Sequence, residues 1–178
     1  MTTAAVTPAD LAKAIRNIPD FPKPGIQFKD ITPLLADPHL YAGSIELLTQ
    51  NFKPGSVDAV VGIDARGFIF AAAAALKLGC GFVPVRKKGK LPFKTYEESY
   101  ELEYGSNTIA VHIDALVKGS RVLLIDDLLA TGGTAGAAAN LLKHIGVEIL
   151  EINFLIELSF LEGRKRLSGF PVRSLVVY

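Results

Sequence analysis

The stretch Val122-Leu123-Leu124-Ile125-Asp126-Asp127-Leu128-Leu129-Ala130-Thr131-Gly132-Gly133-Thr134 decides the fold. Arg121 to Ile125, apolar from Val122 onward, reads as a strand buried on both faces. Two adjacent carboxylates follow, then a loop of small residues, then a helix that reaches His144 and stops at Gly146. In an open parallel sheet, ligands bind where strands end and helices begin. The amides of Ala130 to Thr134 would face outward at the positive end of the helix dipole and form an anion cradle. Gly132 and Gly133 let the backbone approach a ligand closely, and the hydroxyls of Thr131 and Thr134 add donors. Asp126 and Asp127 beside an anion cradle are consistent with a ligand that carries hydroxyls as well as phosphate, as ribose 5-phosphate does. An acidic turn capping a helix is the plainer alternative. The nucleotide P-loop requires a Gly-Lys-Ser/Thr ending, absent here, and the dinucleotide fingerprint requires glycine where Asp126 and Asp127 stand.

Outward from this segment, strands and helices alternate. Val57 to Ile63 is a second doubly buried strand, running through Asp64-Ala65-Arg66-Gly67 into a helix from Phe68. The alanines 71 to 75 predict a helix lying close on a sheet. Gly81 to Val85, Thr108 to Ile113, Val147 to Leu158 and Val172 to Tyr178 read as further strands, and Leu161 to Leu167 as a short helical piece. Thr7-Pro8-Ala9-Asp10 has the form of a helix start, with Leu11, Ile15 and Ile18 at helical spacing behind it. Asp37-Pro38 repeats the signal before Tyr41, Ile45, Leu48 and Phe52. Between the two helices, Pro19, Pro22, Pro24 and Gly25 break the chain before Ile26 to Asp30. Arg86 to Gly105 has no clear period and reads as a mobile arm or a hairpin. Such alternation implies an α/β fold with a mostly parallel sheet flanked by helices, in one domain spanning residues 1–178.

Composition agrees with that reading and excludes others. The chain has 178 residues, 49% hydrophobic and 21% charged, enough apolar material for a sizeable core. Nineteen basic against 18 acidic residues leave a net charge of +1, which favours neither nucleic acid nor an anionic membrane as partner. A lone cysteine, Cys80, flanked by glycines, reads as a small filler and predicts a reducing compartment. The apolar stretch Phe68 to Leu76 is too short to cross a bilayer, and Met1 to Ala5 lacks a secretory layout, so a cytoplasmic location is expected. His39, His112 and His144 have no second ligand at metal spacing, so no protein-built metal site is expected.

Val122 to Thr134 resembles the phosphoribosyl-pyrophosphate signature of the type I phosphoribosyltransferases, and almost the whole chain is similar to their adenine-specific branch. Phe21-Pro22-Lys23-Pro24-Gly25-Ile26, with Phe28-Lys29-Asp30-Ile31, resembles that family's base-binding hood, placed within residues 1–35. Gly62 to Phe68 resembles its pyrophosphate loop. Val85-Arg86-Lys87, Gly89-Lys90-Leu91-Pro92, and Tyr100 with Leu102-Glu103-Tyr104-Gly105 resemble its flexible catalytic loop, residues 86–105. Lys29 stands where the family frequently has arginine, Ala71 where it often has glycine, and Phe93 where glycine or arginine is common.

The resemblance implies a homodimeric purine-salvage enzyme that uses Mg2+ carried mainly by the substrate's pyrophosphate. Adenine and phosphoribosyl pyrophosphate would give AMP and pyrophosphate. It assigns Glu103 as the general acid toward the base, a role that needs a raised pKa, with an exposed carboxylate on a hairpin as the alternative. Arg66 would grip pyrophosphate, with Asp64 and Ala65 in the same loop and Arg86 and Lys90 adding charge; a surface ion pair is the alternative for Arg66. Phe28 would stack on adenine, the Gln27 backbone would read its edge, Lys29 would touch base or loop, and Tyr104 would cover the site or reach a neighbouring subunit. Simple core packing is the alternative for Phe28. Rival readings are a 6-oxopurine enzyme of the same fold and a non-catalytic phosphoribosyl-pyrophosphate sensor. The hood and the Leu102-Glu103-Tyr104-Gly105 block favour adenine, and the near-neutral charge with no spare length disfavours the sensor.

Overall fold

A computed structural model describes residues 5–101 and 106–178. At its centre lies β3 (Ala59–Ile63), buried along its whole length between β4 (Gly81–Lys87) and β7 (Arg121–Leu129). β8 (Glu148–Glu157) and β9 (Val172–Val177) continue the sheet beyond β7, and these five strands are parallel. On the other side, β6 (Ser106–His112) pairs antiparallel with β4, and β5 (Thr95–Glu101) antiparallel with β6. Separately, β1 (Arg16–Pro19) and β2 (Gln27–Asp30) form a two-stranded antiparallel sheet, the predicted hood.

Alternation along each strand builds two cores. Val60, Leu123 and Ile125 face α1 (Pro8–Ala14), α2 (Thr32–Ala36), α3 (Pro38–Thr49) and α4 (Gly67–Leu78), packing with Leu11, Leu34, Leu48 and Phe70. Val61, Val122 and Leu124 face α5 (Gly133–Ile145), packing with Ala138, Leu141, Leu142 and Leu167. Burial on both faces is why β3 and β7 read as unbroken apolar runs. The alanine run acts as expected: a Cβ on Gly62 would lie 2.7 Å from Ala71 Cβ, so α4 rides directly on β3. Both predicted helix starts are formed. Thr7 and Asp10 make a reciprocal capping box, and the Asp37 carboxylate accepts from the amides of His39 and Leu40.

Several boundaries differ from the sequence reading. β7 continues to Leu129 because β8 goes on pairing beside it, so Asp126 and Asp127 lie inside the strand, two residues short of its carboxyl end. Ile18 leaves the helical series and pairs with Phe28 across the hood. α3 ends at Thr49, leaving Phe52 outside it. For residues 86–105 the hairpin alternative holds: Arg86 and Lys87 close β4, and β5 zips antiparallel to β6 from Thr95–His112 to Glu101–Ser106. The pairing gives an otherwise exposed backbone its partners, and a solvent-facing edge explains the weak apolar period. Residues 161–167 span parts of two short 3₁₀ turns, Ser159–Leu161 and Gly163–Leu167, joined through Glu162.

Candidate active site

The carboxyl ends of β3, β4 and β7 open onto one cleft, and most of the expected residues gather there. At the end of β7, Asp126 and Asp127 stand side by side, and the Asp127 amide donates to Asp126 Oδ1 over 2.8 Å. Burial pushes the Asp126 carboxyl well above the usual carboxylate range, and the adjacent Asp127 charge adds to it. Burial also raises Asp127, though Arg66 opposes the shift. α4 begins hard against this pair: a Cβ on Gly67 would lie 2.6 Å from Asp126 Oδ1. Glycine is therefore required where the β3–α4 turn meets β7.

The loop after β7 folds around a small cavity at the start of α5. Gly132 adopts φ 78° as the N-cap of the 13-residue helix α5, and its carbonyl accepts from the Gly136 amide over 2.8 Å. A cavity of about 90 Å³ lies among Asp126, Leu128, Leu129 and the residues Ala130 to Ala135. Thr131, Gly133 and Thr134 line it with Gly132. The second 3₁₀ turn buttresses the loop from behind, which sequence reading missed. A Cβ on Gly132 would collide with the Gly163 carbonyl oxygen, and one on Gly163 with the Ala130 carbonyl oxygen. Arg164 anchors that turn through Nε to Glu157 Oε1 at 2.7 Å and Nη2 to Oε2 at 2.8 Å, with Nη1 donating to the Val172 carbonyl. Ser174 donates to the same Glu157 carboxylate, and the Arg164 guanidinium beside it holds Glu157 below its ordinary pKa. Glycine next to arginine in Glu162-Gly163-Arg164 is the only local signal, and it says nothing of the partner loop.

Both arginines expected at pyrophosphate are held by carboxylates. Arg66, on the turn into α4, sets Nε 2.7 Å from Asp127 Oδ2. Arg86, on β4, donates Nε to Asp64 Oδ2 over 2.9 Å and Nη1 to the Lys90 carbonyl over 3.2 Å. An arginine gripped at Nε is fixed in orientation while its terminal nitrogens stay directed elsewhere. The ion pair considered as an alternative for Arg66 is thus present, but with a partner inside the cleft. Ala65 follows Asp64 through a cis peptide. The Lys90 side chain is exposed on the turn after β4.

The hood reaches the same cleft. The Arg66 guanidinium carbon lies 5.4 Å from the Phe28 ring centroid, and Phe21 meets Phe28 edge-on at 5.2 Å. Phe28 thus belongs to the hood and the cleft, not to either sheet core. The Gln27 side chain accepts from Asn17 across the hood. Lys29 extends the other way, its ammonium 3.7 Å from the Tyr178 ring centroid. Glu103 and Tyr104 lie outside the described residues. Tyr100, however, donates to or accepts from Thr134 Oγ1 over 2.9 Å, a contact sequence reading did not foresee. His112 ends β6 beside Phe93, and His144 ends α5 with Nδ1 3.5 Å from Glu98. Cys80 is half-buried, and burial raises its thiol pKa. A cavity of about 580 Å³ lies elsewhere, near His39, Gly43 and Lys77. Lys77 sits ten residues along α4 from Gly67, about 15 Å from the cleft end.

This geometry has close counterparts. Residues 30–172 match the model of the phosphoribosyl transferase domain family. An adenine phosphoribosyltransferase of Acidothermus cellulolyticus is 57% identical over 173 residues, covering 95% of this chain and 98% of the relative. The crystal structure of adenine phosphoribosyltransferase from Thermoanaerobacter pseudethanolicus superposes with a TM-score of 0.91 at 49% identity, covering 97% of this chain and all of the other. The Saccharomyces cerevisiae enzyme, solved with an imino-altritol bisphosphate and adenine, has a TM-score of 0.89 at 41% identity over 94% of this chain and 97% of its own. With its parallel sheet, N-terminal hood and carboxylate-tipped β7, the chain belongs to the type I phosphoribosyltransferases, in their adenine phosphoribosyltransferase family.

Proposed function

We propose that this protein transfers the 5-phosphoribosyl group of phosphoribosyl pyrophosphate to adenine, giving AMP and pyrophosphate in purine salvage. The observation that carries the reading is the meeting of three elements in one cleft. The hood ring Phe28 touches Arg66, Arg66 pairs with Asp127, and Asp126 beside it lines the cradle that begins α5. We read these as base, pyrophosphate, ribose and phosphate sites opening onto one cleft.

Each group has a task in the reaction. Amides of Ala130 to Thr134, with the Thr131 and Thr134 hydroxyls, bind the 5′-phosphate at the helix dipole. Asp126 and Asp127 accept hydrogen bonds from the ribose hydroxyls. The bond from C1 to pyrophosphate lengthens first, so the sugar gains positive character while negative charge collects on the departing group. The terminal nitrogens of Arg66 and Arg86 receive that charge, with Lys90 nearby. Phe28 stacks on adenine and aligns its attacking nitrogen on the opposite face of C1, where proximity supplies much of the acceleration. The Gln27 backbone reads the base edge, Lys29 supplies a cation beside the hood, and Glu103 provides a proton to a ring nitrogen as the glycosidic bond forms and takes it back from the product, while the hydrogen of the attacking nitrogen leaves to the departing pyrophosphate; Tyr104 covers the site.

Among the described residues, no group of three or more His, Cys, Asp or Glu side chains converges to hold a metal. Mg2+ would then arrive on pyrophosphate and water, with Asp64, Asp126 and Asp127 the carboxylates held in the cleft. When bound, the ion neutralises phosphate charge as a Lewis acid. No helix among the described residues is long and apolar enough to cross a membrane. The lone cysteine supports a cytoplasmic assignment and the net charge of +1 favours neither nucleic acid nor membrane as partner, while the homodimer is what the family resemblance implies.

The test is pyrophosphate release with phosphoribosyl pyrophosphate, Mg2+ and each purine in turn. Release with adenine alone, accompanied by AMP, is expected. Release with a 6-oxopurine would keep the phosphoribosyl site and overturn the reading of the hood. Tight binding of phosphoribosyl pyrophosphate with no release from any base would indicate a sensor instead.

A further inference from the structure

We propose that Tyr100 is a positioning residue of the phosphate cradle: its phenol donates to Thr134 Oγ1 and thereby turns the threonine hydroxyl hydrogen toward the bound 5′-phosphate. The inference rests on reading the Ala130–Thr134 loop as the phosphate site.

The geometry begins with β5 lying along α5. Residues two apart on a strand share a face, and the face with Tyr100 also carries Glu98. Glu98 reaches His144 at the far end of α5, while Tyr100 reaches Thr134 in its first turn. The Tyr100 ring comes down on Gly133, where an added Cβ would lie 3.4 Å from Cδ2 and 3.6 Å from Cε2. The phenol oxygen then sits 2.9 Å from Thr134 Oγ1, part-buried at the edge of the cradle.

Proton counting sets the direction of that bond. A threonine hydroxyl has one hydrogen and two lone pairs, and a phosphate dianion only accepts. If Thr134 donates to Tyr100, it has no hydrogen left for the phosphate. If Tyr100 donates to Thr134, the threonine hydrogen is free to meet the anion. Phenol is the more acidic hydroxyl and the better donor, so an incoming phosphate favours the chain Tyr100 to Thr134 to phosphate. Each bond in such a chain strengthens the next. The Tyr100 hydroxyl thus acts through Thr134 and needs no contact of its own with substrate.

The experiment uses the full chain with Tyr100→Phe, which keeps the ring on Gly133 and removes only the hydroxyl, together with Thr134→Val and the double variant. Ribose 5-phosphate affinity is measured by calorimetry. Loss of one hydrogen bond in a chain to an anion is expected to raise Kd about three- to tenfold. In steady state, the loss should appear in KM for phosphoribosyl pyrophosphate more than in kcat, whereas simple loss of packing would move both. In the Thr134→Val background, Tyr100→Phe should add nothing, because the bond it removes is already gone. Thr134→Ser retains the hydroxyl and should retain full sensitivity to Tyr100→Phe. Unchanged ribose 5-phosphate affinity in Tyr100→Phe, or full additivity with Thr134→Val, overturns the proposal and leaves the phosphate site standing. Failure of the wild-type protein to bind ribose 5-phosphate overturns the cradle reading and this inference with it.

Discussion

Arg66 and Asp127, 61 positions apart in the chain, meet with Nε 2.7 Å from Oδ2 and tie the turn after β3 to the end of β7. Asp127 is buried, and Arg66 keeps 39% of its side chain exposed. The buried carboxylate therefore aims the guanidinium, and its exposed part is what we propose pyrophosphate meets.

Removing that fork should cost activity in the step that releases pyrophosphate. Arg66→Ala is expected to lower kcat/KM about ten- to a hundredfold, the worth of one or two charge-assisted bonds, with Asp127 left without its cation. Arg66→Lys should recover little, because a point charge cannot be held at Nε while presenting a planar fork. Steady-state pyrophosphate release checks both, and recovery to within twofold in the lysine variant would rule out bidentate recognition.

Asp126 couples pH to stability. Burial and the neighbouring Asp127 raise its folded-state pKa above the unfolded value. As pH rises, the unfolded chain loses its proton first, so stability declines from the ordinary carboxylate range up through the folded pKa. Below that range both states are protonated and the penalty vanishes. Asp126→Asn keeps an acceptor for the Asp127 amide and removes the charge. Its melting temperature should exceed wild type at pH 7, with the gap narrowing as pH falls, while KM for phosphoribosyl pyrophosphate rises. A pH-independent gap in melting temperature would disprove the assignment.

Gly163 tests the buttress behind the cradle. In Gly163→Ala the new methyl group meets the Ala130 carbonyl, so the cradle must shift. We expect a stability loss of about 1–3 kcal/mol and a raised KM for phosphoribosyl pyrophosphate, with adenine binding less affected. Gly169→Ala is the control: φ is 94° but nothing lies within 4 Å of the added Cβ. It should cost about 1–2 kcal/mol through backbone strain and leave KM where it was. Denaturant unfolding and substrate titration distinguish the two variants.

Phe28 should act on the base alone. Stacking on an aromatic ring is worth about 1–3 kcal/mol per base, so Phe28→Ala should raise KM for adenine about five- to a hundredfold. Phe28→Tyr should keep most of the affinity. Equal losses for adenine and phosphoribosyl pyrophosphate in the alanine variant would show that Phe28 serves only to support Arg66.

Glu103→Gln separates acid catalysis from binding. Turnover should fall about a hundredfold or more, within the usual worth of general acid catalysis, while phosphoribosyl pyrophosphate still binds. Turnover equal to wild type would end the assignment of a proton donor at this position.

What the sequence determined by itself is local and periodic. Unbroken apolar runs at Ala59–Ile63 and Val122–Ile125 set doubly buried parallel strands, since a strand covered on both faces has no polar side to alternate. Caps at Thr7 and Asp37 set helix starts, because their side chains satisfy amides within three residues. The order acid–acid–small loop–helix sets the cleft at the carboxyl end of β7, where strand gives way to helix. Tertiary structure alone decided the rest, because those contacts join distant residues and leave no periodic trace. Asp126 and Asp127 lie within β7 only because β8 runs on beside them. Arg66 points where Asp127 aims it, Gly132 and Gly163 admit no Cβ only because their backbones interlock, and Tyr100 finds Thr134 only once β5 has paired with β6 and lies along α5.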